Sequence, residues 1–133
     1  MNEALTAAEI AFFAATAQGR AALPLYEALR ARLLLELPET RIEVKKTQIS
    51  FKDRHLFAAA SLTPVRQRAL RPAQWLTVTF GLPYQLISPR VDSAAEAYPG
   101  RWTHHVMVGG ISELDAELLG WLTEAAAFAA AKR

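Results

Sequence analysis

The chain has 133 residues, 52% hydrophobic and 21% charged. That length suits a single domain (residues 1–133) around one core, and the composition excludes disorder, collagen and coiled coil. It holds no cysteine, which excludes a disulfide framework, an iron–sulfur cluster and a thiolate zinc site. The 15 basic and 13 acidic residues nearly cancel, yet residues 1–40 carry 3 basic and 5 acidic groups, residues 111–133 carry 2 and 4, and residues 41–110 carry 10 and 4 together with all three histidines. A locally positive segment concentrates anions even on a nearly neutral molecule.

At the start, Met1-Asn2-Glu3-Ala4-Leu5 has no positively charged leader, and Glu3 and Glu9 interrupt the apolar stretch. A cytoplasmic protein is therefore expected. No stretch approaches the roughly 20 uncharged apolar residues of a membrane span, so no membrane partner is expected.

Thr6-Ala7-Ala8-Glu9 has the capping-box pattern and predicts a helix start, with Ile10, Phe13, Ala14 and Ala17 at helical spacing and Gly19 placed to close it in the left-handed conformation. A second helix follows, with the stripe Ala22, Tyr26, Leu29, Leu33 and Leu37; Pro24 is expected in its first turn and Pro38 at its end. From Arg41 the period becomes alternating. Ile42 and Val44 have the opposite parity to Ile49 and Phe51, which requires a bulge or tight bend near residues 45–47. Asp53-Arg54 then separates strand-like runs at 48–52 and 55–62, a hairpin. A proline-bounded basic loop, residues 64–72, leads to the clearest strand, residues 75–80, with Leu76, Val78 and Phe80 on one face and Trp75, Thr77 and Thr79 on the other. Residues 86–91 read as a short extended piece, 94–100 as loop, and 102–108 as the last strand. Gly109-Gly110 releases it into a final helix capped by Ser112, with Glu113 and Asp115 in its first turn and a stripe of Leu114, Leu118, Trp121, Leu122, Ala125 and Phe128.

This order predicts an α+β fold: an antiparallel sheet of four to five strands, with two N-terminal helices and one C-terminal helix packed mainly on one face. The connectors are too short for parallel crossovers.

Motifs for chemistry are sparse. There is no phosphate-binding loop and no dinucleotide fingerprint. His104 and His105 are adjacent on a strand and point to opposite faces, so they cannot share a metal ion, and neither a metal site nor a cofactor is expected. There is no nucleophile elbow and no carboxylate pair with a reason to meet. What remains is a basic and aromatic set on the predicted sheet and its loops. Lys46, Arg90 and Arg101 would supply charge, Gln48 and His104 hydrogen bonds, and Trp102 stacking; together they would line one surface for an anion.

Three segments resemble a family of bacterial domains of unknown function, which occur alone or appended to other modules such as restriction-type nuclease domains. They are Lys46-Thr47-Gln48-Ile49-Ser50-Phe51, then Tyr98-Pro99-Gly100-Arg101-Trp102-Thr103-His104-His105, then Glu113-Leu114-Asp115 with Glu117-Leu118-Leu119 and Trp121-Leu122. The likeness would span about Phe12 to Phe128. It implies a similar α+β class and a loose association with nucleic-acid processing, and supplies no catalytic residues.

The leading expectation is a non-enzymatic module that binds an anionic partner: nucleic acid, a nucleotide, or a small phosphate or carboxylate ligand. The alternatives are a protein-interaction or homodimer domain, in which the same aromatic residues bury against another chain, and a small enzyme with His104 as acid or base.

Overall fold

The structure is a computed structural model that describes residues 4–132; the part of the leader reading that rests on Met1, Asn2 and Glu3 lies outside them. Helix α1 (Ala7–Ala14) starts on the expected capping box: Glu9 N donates to Thr6 Oγ1 at 3.1 Å, and Thr6 N donates to Glu9 Oε1 at 2.8 Å. Helix α2 (Ala17–Glu36) begins almost at once, with Thr16 accepting from Gly19 N at 2.9 Å. Gly19 therefore opens α2 instead of closing α1. Its hydrogen is required because a Cβ there would lie 2.4 Å from the Phe13 carbonyl oxygen. The early start also leaves Pro24 inside the helix and not in its first turn, where its missing N–H leaves the Arg20 carbonyl without the usual helical donor.

Among the described residues six strands form one antiparallel sheet: β1 (Arg41–Val44), β2 (Ile49–Lys52), β3 (Leu56–Ser61), β4 (Leu76–Leu82), β5 (Ser93–Tyr98) and β6 (Arg101–Val108), in the order β1-β2-β3-β4-β6-β5. The expectation of four to five strands is corrected to six. The parity conflict near residue 46 resolves as a full reversal. Lys45 N donates to Gln48 O at 2.8 Å, Val44 pairs with Ile49 and Ile42 with Phe51, so both apolar pairs share a face across two strands. Strand β5 occupies the segment read as loop. It has no branched residue to signal extension, and pairs because the turn Tyr98-Pro99-Gly100-Arg101 returns the chain, with Pro99 second and Gly100 third at φ 84°, the pattern of a type II turn. Residues 86–91, read as a short extended piece, join no strand pair.

Helix α3 (Ala116–Ala130) is capped by Asp115, whose Oδ1 accepts from Leu118 N at 3.0 Å; Ser112 lies instead in a short 3-10 turn, Ile111–Glu113.

Residues directly opposed across an antiparallel pair share a face. One row thus reads Ile42, Phe51, Ala58, Phe80, His104, Ala94 from β1 to β5. This face carries the core: Phe13, Tyr26, Leu29 and Leu33 from the first two helices and Leu118 and Leu122 from α3 close over Ile49, Phe51, Val78, Phe80 and Val106. Phe80 stacks between His104 and Trp121, at 5.2 and 6.0 Å between ring centroids. All three helices pack on this side, which leaves the other face of the sheet to loops and its own side chains.

Candidate anion-binding site

The helix-free face is built from the alternate row: Glu43, Ser50, Ala59, Thr79, His105, Ser93 from β1 to β5. Beside it run Ser61, Thr77 and Met107 on one side and Gly81, Thr103 and Ala95 on the other. These side chains are mostly short, so the middle of the face is low. Two hollows result, of about 180 and 200 Å³. Gln48, Phe57, Thr79, Arg101 and Thr103 line the first; Thr47, Gln48, Ser61, Thr63, Val65 and His105 are among those lining the second.

Arg101 is the first residue of β6, and its guanidinium lies over Gly81 of the neighbouring strand. A Cβ at position 81 would sit 2.5 Å from Arg101 Nη2 and 2.8 Å from Nε, so the absent side chain is what lets the guanidinium rest on the sheet. The Arg101 Nε is buried without a hydrogen-bond partner, and among the described residues no carboxylate pairs with Arg101. A buried, unsatisfied donor on a charged group is costly.

Gln48 Nε2 donates to Ser50 Oγ at 3.1 Å. Thr79 Oγ1 and His105 Nδ1 are 2.8 Å apart, and burial pushes the His105 ring below its ordinary pKa, which favours the neutral form. The wall of the second hollow is the loop after β3. Thr63 O accepts from Thr77 Oγ1 at 2.7 Å, and Arg66 pins the loop by donating to Asp92 Oδ1 at 2.6 Å and to Met107 O at 3.0 Å. Asp92 Oδ2 in turn accepts from Met107 N at 2.7 Å.

The six residues singled out in the sequence do not share one surface. Gln48 and Arg101 meet in the first hollow, and Lys46 is exposed on the turn that carries Gln48. Trp102 opposes Leu82 and lies on the helix side. His104 is 0% exposed behind Phe80, accepts from Leu86 N at 2.9 Å, and is held below its ordinary pKa by burial against the opposing pull of the Phe80 and Trp102 carbonyls. Arg90 clasps the start of α3: it reaches Asp115 Oδ1 at 2.8 Å, Glu117 Oε1 at 2.9 Å and Glu113 O at 2.6 Å, with its guanidinium 5.5 Å from the Trp121 ring centre. His105, which faces the hollow, was missed. The signal was in the strand itself: His104 has the parity of Val106 and Val108, and two branched apolar residues mark the core face.

No curated protein and no solved structure gives a significant match to the chain. A family model does match, over residues 11–129: the domain of unknown function DUF5655. With that match covering most of its length, the chain belongs to the DUF5655 family of domains of unknown function.

Proposed function

We propose that this domain is a binding module that holds a small oxyanion, a phosphate or carboxylate group, on the helix-free face of its sheet. The observation that carries the reading is the Arg101 guanidinium, laid on Gly81 beside a hollow with its Nε buried and unpartnered. A planar fork of N–H donors matches an oxyanion in two-point geometry. Gln48, Thr79 and Thr103 border the same hollow and add uncharged donors and acceptors.

Nucleic acid, the context the family resemblance implies, is the weaker occupant. Tracking a phosphate backbone takes a run of free cations and aromatic platforms. Here Arg66 is paired with Asp92, Arg90 with Asp115 and Glu117, and Lys45 and Lys52 with Glu43, while Trp102 lies on the opposite side of the sheet from Arg101.

The test is calorimetric titration with inorganic phosphate, acetate and a single-stranded oligonucleotide at low and moderate salt. Saturable binding of a small anion is expected, weakened about tenfold or more by Arg101→Met and unchanged by Arg90→Met. Oligonucleotide binding with a steep salt dependence that survives Arg101→Met, without binding of either small anion, would overturn the reading.

A further inference from the structure

The two hollows on the helix-free face adjoin one another: Gln48 and Thr79 line both of them. At about 180 and 200 Å³, each is smaller than a typical small-molecule pocket of roughly 300–1,000 Å³, whereas joined they reach that range.

Their linings differ in kind. Among the described residues lining the first hollow, Arg101 is the one charged side chain, and Leu56 and Phe57 add apolar walls. The second has no permanently charged side chain in its described lining: Thr47, Ser61 and Thr63 carry hydroxyls, His105 presents a ring, and Val65 supplies an apolar contact, while the Thr77 hydroxyl is already given to Thr63 O. Hydroxyls and a neutral imidazole each donate and accept, which suits ring heteroatoms and sugar hydroxyls. They offer nothing to offset a second desolvated charge. One end of the trough is therefore built for an anion and the other for an uncharged polar body.

We propose that the two hollows form one site, and that its ligand is a phosphate monoester of an uncharged polar body, of the size of a nucleoside monophosphate. The phosphate would lie against Arg101 and the body against Ser61, Thr63 and His105, with Gln48 between them. This rests on the anion reading above and adds to it the shape and class of the ligand.

The test compares inorganic phosphate, ribose 5-phosphate and adenosine 5′-monophosphate by calorimetry on the full chain. Val65→Trp, on the loop wall, fills the second hollow. Thr47→Trp, on an exposed turn, fills it from the other wall should the first variant fold poorly. Both esters are expected to bind about tenfold tighter than phosphate, and either filling variant should erase that gain while leaving phosphate affinity within about twofold. Arg101→Met should weaken all three. Esters that bind no tighter than phosphate, or that ignore both filling variants, would overturn the joined site while leaving the anion reading in place. If no probe binds, or if Arg101→Met changes none of them, the anion reading fails and the joined site fails with it.

Discussion

Arg101 and Gly81 work as a pair. The guanidinium rests where a side chain at 81 would be, and the nearest obstacle to a Cβ there is the far end of a flexible arginine rather than backbone. Gly81→Ala should therefore fold normally, since alanine suits a strand at least as well as glycine, yet displace the guanidinium and weaken phosphate binding nearly as much as Arg101→Met. Titration of the variant beside its melting curve checks this; full affinity in Gly81→Ala would separate the two residues. His104 makes the complementary case. Its folded pKa is lowered by burial, so the unfolded chain binds the extra proton first. Its contribution to stability is complete above its ordinary value of 6.5 and is lost as pH falls through that value toward the folded one. His105 is lowered in the same direction. Denaturation midpoints should thus fall as pH drops below about 6.5, and His104→Gln should flatten the slope; an unaltered slope would mean that the ring is not held neutral. That one of two adjacent histidines must be buried follows from strand geometry. Which one it is follows from Val106 and Val108, a parity easily passed over when a ring next to Trp102 looks like a binding pair.

At the scale of elements, the seam between α1 and α2 is organised by a buried acid. The Glu9 carboxylate accepts from Thr6 N, from the Tyr26 hydroxyl and from Arg30 Nε at 2.8 Å. Burial alone would raise its pKa, but the Thr6 amide, the Tyr26 hydroxyl and the Arg30 guanidinium together bring it below the ordinary 4.5, while the Tyr26 hydroxyl is pushed far up by its burial and by the neighbouring carboxylate. Removing the carboxylate takes away the acceptor of the buried Tyr26 hydroxyl and the counter-charge of the buried Arg30 guanidinium. Glu9→Ala should destabilise the fold by about 3–5 kcal/mol in chemical denaturation. Glu9 contributes stability above 4.5 that is lost as pH falls through its lower folded value, so Glu9→Gln should remove part of the acid limb. Arg90 holds residues 83–92 against α3, but its partners Asp115 and Glu117 are 46% and 57% exposed. Arg90→Met should cost only about 1 kcal/mol and leave phosphate binding intact. The elements differed in how far sequence revealed them. The capping box at Thr6 and the alternation of β4 were plain, because both are local patterns. Strand β5 was hidden because Ala94-Ala95-Glu96-Ala97 has no intrinsic pull toward a strand and is extended by its pairing to β6. The α3 cap shifted from Ser112 to Asp115 because the intervening 3-10 turn has no sequence mark of its own.

For the whole molecule, the α+β class and the one-sided helix layer follow from element order and connector length. The division of charge did not. The excess of basic residues between 41 and 110 suggests one positive surface, yet several of those cations are absorbed in pairs that pin loops and strands, notably Arg66 with Asp92 and Arg90 with Asp115. What decides the site is which cation stays unpaired and on which face, and that depends on register, a long-range property. Arg101, set over Gly81 on the helix-free face, is that cation at the first hollow. The most direct test is to map amide chemical shifts of isotope-labelled protein as inorganic phosphate is added. The account predicts saturable changes clustered at Gly81, Arg101 and Thr103 with their neighbours Gln48 and Thr79, and none at Leu86, Arg90 or Trp121. Changes centred on Arg90 and the start of α3, or no saturable change at all, would contradict it.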